Sequence, residues 1–136
     1  IGRTFPVSGM FTARQREILT MEVSVADQII AYLKPGIKFQ DIRNLTDSII
    51  PNNAKKHMQV GLFFGHHLGL STGDPDLPEA VLKPGMIFTV EPWYYNHDEQ
   101  ISVFTEDVIL ITETGCEVLS KDLPRTPRDL ELIMKF

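Results

Sequence analysis

The stretch ISVFTEDVILITETG, Ile101 to Gly115, is apolar on both parities of a period-two pattern. Phe104, Val108 and Leu110 fall on one parity, Val103, Ile109 and Ile111 on the other. A strand covered on both faces reads this way. The same stretch holds two adjacent carboxylates, Glu106 and Asp107. Neighbouring side chains of a strand point to opposite faces, so each covered face receives one of them. A buried carboxylate without company takes up a proton or finds a cation. The segment therefore predicts a sheet strand and, within it, a charge that needs a partner: a cation, or an ion pair with Arg3 or a lysine.

Two upstream stretches repeat the theme. MIFTVEPWYY, Met86 to Tyr95, reads as a second strand whose apolar run ends at Glu91, just before Pro92. VGLFFGHHLGLSTGDPD, Val60 to Asp76, sets His66 beside His67 in short apolar runs bounded by glycine. As strand neighbours the two histidines cannot look into one site, so one is a candidate and the other is packing or surface. Each group alone has an ordinary reading: a hydrogen-bonded core histidine, a solvated strand end, an edge-strand ion pair. Together, one imidazole and carboxylates on several strands suggest a shared cation. Such an oxygen-rich set suits Mn²⁺, Co²⁺, Fe²⁺ or Zn²⁺, and bridging carboxylates favour two ions over one.

The first third of the chain reads as helical. Thr12 with Gln15 three residues on spells a capping box. Ile18, Met21, Val25, Ile29 and Leu33 then recur at helical spacing, flanked by Leu19, Val23, Ala26 and Ile30, until Lys34-Pro35-Gly36 stops the run. A second helix is predicted over Phe39–Ile50 and a last one over Arg128–Met134. Helix, helix, strands, helix is an α+β order, with helices packed on a largely antiparallel sheet. IGRTFPVSG, at the start of the sequence, reads as a strand end followed by a turn, as in a fragment that begins inside an element. LKPG occurs at Leu33 and again at Leu82; the flanking elements differ, so shared turn chemistry explains the echo better than an internal repeat. STGDPDLPEA, Ser71 to Ala80, reads as an exposed loop.

With 136 residues, 43% hydrophobic and 23% charged, the chain is predicted to be one soluble globular domain. A net charge of −5 argues against a nucleic-acid partner. No apolar run approaches the roughly 18 residues of a membrane span, and no signal pattern opens the chain. The expectation is a cytoplasmic protein with no membrane partner. The single Cys116 cannot form an intrachain disulfide and has no basic neighbours to activate it. His57 and His97 are expected to be exposed. GxSxG, phosphate-loop, HExxH and CxxC patterns are all absent from the sequence.

Four segments in order, IGRTFPVSGMFTARQRE, GHHLGLSTGD, LKPGMIFTVEPWYY and TEDVILITETGCEVLS, closely resemble the C-terminal half of the catalytic domain in the creatinase/aminopeptidase P/prolidase group of metallopeptidases. The resemblance covers essentially the whole chain. It implies the pita-bread fold, its C-terminal half, with helices on a curved and largely antiparallel sheet. Residues 1–136 would be a single partial catalytic domain, with two aspartate ligands in the absent N-terminal half.

The resemblance also implies a dinuclear site for Mn, Co or Zn, with His66, Glu91 and Glu106 as metal ligands. Glu91 and Glu106 would be catalytic as well, Glu106 bridging the ions and Asp107 supporting it. His66 would face the site with Leu68, leaving His67 on the other face. Gly73, Trp93 and Tyr95 are the candidate substrate-binding positions. Departures from the family pattern fall at Gly73 and Leu62, where it has histidines, at Phe104, where it has arginine, and at Trp93, where it has glycine. The implied reaction is hydrolysis of the peptide bond before proline, as in an Xaa-Pro aminopeptidase or dipeptidase, with this chain inactive alone. The alternatives are a non-catalytic pita-bread module that binds a peptide or protein, and a creatinase-like C–N hydrolase. A half-fold leaves a sheet edge to cover, which predicts a homodimer or higher oligomer by strand pairing.

Overall fold

The structure, a computed structural model, describes residues 1–58, 64–71 and 77–135. Helix α1 spans Ala13–Tyr32 and opens on the expected capping box. Thr12 Oγ1 accepts from the Gln15 amide at 3.2 Å and Gln15 Oε1 accepts from the Thr12 amide at 2.9 Å, which satisfies two of the donors a helix start leaves open. Ile18, Leu19, Val25, Ala26 and Ile29 are buried along it, and so is Glu22. Helix α2 spans Phe39–Ile49 and turns Phe39, Ile42 and Thr46 inward. It stops one residue short of the predicted end, because Ile50 precedes Pro51 and a residue before proline is pushed out of the helical region.

The two LKPG copies make the same turn. Gly36 and Gly85 take φ of +89° and +85°, as the position after proline in a type II turn requires. Leu33 and Leu82 are both buried. The turns also lie side by side: the Gly36 amide donates to the Leu82 carbonyl at 2.9 Å, and the Leu82 amide to the Ile37 carbonyl at 2.9 Å. The connection between α1 and α2 is thereby stapled to the chain entering the sheet.

Strands β1 (His67–Leu68), β2 (Ile87–Val90), β5 (Asp107–Ile111) and β6 (Cys116–Val118) form an antiparallel sheet in the order β1-β2-β5-β6. Strands β3 (Trp93–Asn96) and β4 (Ile101–Phe104) form a separate antiparallel pair. The molecule is α+β, as predicted. Helix α1 packs on α2, α3, β2, β3 and β4.

Each of the two long predicted strands is in fact broken in the middle. Val90 pairs with Asp107 and Trp93 with Phe104. One register, carried across the gap, sets Glu91 against Glu106 and Pro92 against Thr105. Pro92 has no amide proton to give a ladder, and there the chain leaves one sheet for the other. Glu106 consequently lies in the gap and is half-buried, while Asp107 opens β5 and is 1% exposed. Along β5, Asp107, Ile109 and Ile111 are fully buried and Val108 and Leu110 partly so; the strand is covered on both faces, unequally.

The core gathers the rings of Phe39, Phe64 and Phe88, with centroids 5.1, 5.8 and 6.1 Å apart. Burying each such ring contributes about 1.5–3 kcal/mol. The opening segment runs beside β4 without forming the expected strand. The Glu106 amide donates to the Gly2 carbonyl at 3.0 Å, but farther along the Thr4 hydroxyl stands in for backbone pairing. It accepts from the Phe104 amide at 2.8 Å and donates to the Phe104 carbonyl at 3.0 Å. The predicted turn follows, closed by the Gly9 amide on the Pro6 carbonyl at 2.9 Å.

Helix α3 spans Pro127–Ile133, one residue ahead of the prediction, because Thr126 caps the Asp129 amide at 3.2 Å and Pro127 suits the first helical position. Glu131 ties it to the entry of α1, accepting from the Phe11 amide at 2.9 Å and from Arg16 at 2.6 Å. Those two donors hold its carboxyl below the usual glutamate range. Leu77, Pro78 and Glu79, the described tip of the predicted Ser71–Ala80 loop, are exposed; residues 72–76 lie outside the described residues. Among the described residues, no helix is long and apolar enough to cross a membrane.

Candidate metal centre

The gap between the two sheets brings three of the predicted site residues together. Glu91 follows the last residue of β2, and its amide donates to the Phe64 carbonyl at 2.8 Å, which ties the gap to the chain leading into β1. His66 stands opposite Thr89. Its amide donates to Thr89 Oγ1 at 2.9 Å, and the Thr89 amide donates to the His66 carbonyl at 2.8 Å. Glu106 is fixed by its amide on Gly2 and by the Arg3 guanidinium on its carbonyl. One donor atom from each of His66, Glu91 and Glu106 lies within 4.8 Å of the others, and all three residues are half-buried.

The chemistry of this set calls for a cation. His66 Nδ1 sits 2.9 Å from the His67 carbonyl. A carbonyl only accepts, so Nδ1 carries a proton and Nε2 presents a lone pair or a second proton. Nε2 lies 3.4 Å from Glu91 Oε1. Without that second proton two lone pairs face each other and repel, as do two carboxylates opposed across a ladder. A positive charge between them removes both repulsions. One imidazole and two carboxylates are also a donor set that divalent transition metals accept.

The remaining candidates lie around this cluster. His67 turns away from it, its ring 5.9 Å from Phe39 and 5.3 Å from Phe88. Asp107 is saturated elsewhere by Arg3 at 2.6 Å, Arg125 at 3.0 Å and Ser120 at 2.7 Å. The Arg3 pair was legible in the sequence; Arg125 and Ser120 were not, because nothing local marks them as neighbours of Asp107. Trp93 and Tyr95 lie on β3, 38% and 51% exposed. Gly73 and Leu62 lie outside the described residues.

His57, expected to be exposed, is instead half-buried. Its ring is 5.2 Å from that of Tyr94 and its Nε2 lies 3.3 Å from Asn96 Nδ2. A short 3₁₀ turn at Lys55–His57 folds it back on β3. His97 is exposed, as expected. The Cys116 thiol donates to the Ile30 carbonyl at 3.3 Å, and burial pushes its pKa up, away from a nucleophilic thiolate. A cleft of about 410 Å³ between the opening segment and Gln100–Val103 includes none of the three donors.

The sequence reading passed over Glu22. It lies between the apolar Met21 and Val23 on α1 and is fully buried. Neither carboxyl oxygen meets a well-placed donor, the Tyr94 amide being the nearest group that favours the charged form. Burial holds its pKa well above the usual glutamate range. No pattern in the helix distinguishes a buried glutamate from a solvated one.

Residues 1–113 match the profile of metallopeptidase family M24. Xaa-Pro aminopeptidase 2 of Streptomyces coelicolor is 32% identical over 166 aligned positions, which take in 98% of this chain and 35% of that protein. The chain thus spans about a third of the length of the curated relatives it matches. The aminopeptidase PepP structure of Pseudomonas aeruginosa superposes with a TM-score of 0.85 at 26% identity, over 97% of this chain and 37% of that one. A zinc-substituted aminopeptidase P of Escherichia coli, in complex with product, gives 0.79 at 28% identity over the same shares. The motif order, the sheet topology and these likenesses agree that the fold is that of the aminopeptidase P group and that a divalent metal belongs to its chemistry. A bent antiparallel sheet with an imidazole and two carboxylates at its break is thus accounted for: the chain belongs to metallopeptidase family M24.

Proposed function

We propose that His66, Glu91 and Glu106 hold a divalent metal ion and that the protein is one part of a hydrolase acting on peptides, at the bond before proline. The observation that carries this reading is the opposition of Glu91 and Glu106 across the gap, with His66 Nε2 3.4 Å from Glu91. The names of the relatives, Xaa-Pro aminopeptidases, support the bond specificity. When bound, the ion supplies Lewis acidity toward a peptide carbonyl and activates water. The chain's own residues do the rest. The His67 carbonyl fixes the His66 tautomer, Arg3 and Gly2 hold the Glu106 backbone, and Glu91 or Glu106 accepts a proton from the attacking water. Trp93, Tyr95 and Gly73 are assigned to the substrate side.

Mn, Co and Zn all suit the donor set. A dinuclear site needs the two aspartates that the family resemblance requires, and residues 1–136 have no positions matching them. We therefore assign residues 1–136 as a partial catalytic domain that binds one ion and does not hydrolyse peptides alone. Elemental analysis after dialysis against Mn²⁺ or Zn²⁺ tests this: about one ion per chain in the wild type and none in Glu106→Gln is expected. Absence of metal from both would remove the reading. It would leave the second one, a non-catalytic module that binds peptides, which the exposed Trp93 and Tyr95 favour.

A further inference from the structure

The gap carboxylates do not stand alone on their face of the sheet. Glu91, Trp93 and Tyr95 share one parity, and their cross-strand partners by register are Glu106, Phe104 and Ser102. The residues of opposite parity, Tyr94 and Asn96, are buried at 2% and 6% exposure, whereas Trp93 and Tyr95 are 38% and 51% exposed. A row of large side chains therefore runs outward from the candidate site: Trp93 beside Phe104, then Tyr95 beside Ser102.

The row is held in place. The Trp93 and Phe104 rings meet edge to face, centroids 6.2 Å apart at 74°, and Trp93 Nε1 donates to Ser102 Oγ at 3.2 Å. Behind Phe104 lies the Gly2 backbone. A Cβ added at Gly2 would stand 2.0 Å from the Phe104 ring, so only glycine lets the ring lie back against the strand. Fixed aromatic rings give contact area at little cost in conformational entropy. None of the four shelf side chains carries a charge, so a carboxylate laid on them would lose water and gain no compensation.

We infer that Trp93, Phe104, Tyr95 and Ser102 form a specificity shelf that receives the side chain flanking the bond to be cut, and that it selects an uncharged apolar or aromatic residue. The occupant follows from continuity with the metal cluster, from the uncharged shelf and from its fixed aromatic walls. The inference rests on the proposed peptide-hydrolase reading for the occupant, and on the residues above for the preference.

Trp93 is the only tryptophan in the sequence, so its fluorescence reports occupancy directly. The probes are tripeptides X-Pro-Ala, with X as Phe, Leu or Glu, titrated into the Mn²⁺-loaded protein. The peptides with Phe or Leu at X should bind at least about tenfold more tightly than the peptide with Glu. Phe104→Ser should reduce that preference to within about threefold without changing the metal content. Calorimetry on Trp93→Ser should show the same loss.

Equal binding of the neutral and the acidic peptides would overturn the shelf, as would no binding of any of them. A preference that persists in both Phe104→Ser and Trp93→Ser would overturn it as well. Repeating the titration on Glu106→Gln separates this inference from the metal-site reading. A preference that survives there, on protein that holds no metal even in its wild-type form, upholds the shelf and removes the metal reading. Metal bound by the wild type with no side-chain preference does the reverse.

Discussion

Asp107 shows how much of the candidate site depends on a residue that does not touch it. The carboxylate is 1% exposed and is met by two guanidinium groups and a hydroxyl. Arg3, which supplies one of them, also binds the carbonyls of Gly2, Glu106 and Pro124. Arg125 reaches on to Asp27 of α1. Removing the anion leaves two cations facing each other under the site. Asp107→Asn should therefore destabilise the fold by about 3–5 kcal/mol, the range for breaking a buried ion pair from one side. Urea unfolding with an unchanged m-value checks this, and a loss below about 1 kcal/mol would mean that the network is already screened. At Glu91, Glu106 and His66 the sequence was informative because each is polar inside an apolar run. Arg125 and Ser120 sit among other polar residues, so their burial partner was invisible without the fold.

Helix α1 carries the opposite case, a buried acid whose carboxyl oxygens meet no well-placed donor among the described residues. Burial holds the Glu22 carboxyl well above the usual glutamate range in the folded protein, whereas in the unfolded chain it ionises at an ordinary pH. Between those two pKa values the folded state holds the extra proton, so stability falls as pH rises through the window. Glu22→Met, which keeps the shape and removes the acid, should stabilise the protein by about 1–3 kcal/mol at pH 8 and by much less at pH 4. Urea midpoints at the two pH values measure it; an equal gain at both would show that the carboxyl is not held protonated. Helix α1 itself was legible to its first residue, because Thr12 and Gln15 are a local signal. The strands were legible as strands, but their break was not. Pro92 hinted at it, yet Thr105-Glu106 carries no interruption of its own and stops pairing only because Pro92 stands opposite.

Among the described residues, β1 and β6 are the two edges of the four-stranded sheet, and β1 is only two residues long. Open edges seek strands. We expect the protein to form a homodimer or higher oligomer through them; light scattering that shows a single monomeric species at tens of micromolar would exclude this. The shared register of the two sheets has a further consequence, for how the protein can change over evolutionary time. Alternation has period two, so a residue inserted or deleted between Val90 and Trp93 would exchange the faces of every position beyond it. Tyr94 and Asn96 would turn to water, Trp93 and Tyr95 would turn into the core, and Glu91 would lose its place opposite Glu106. Substitutions can retune this site one side chain at a time; a change of length across the bend dismantles it in a single step.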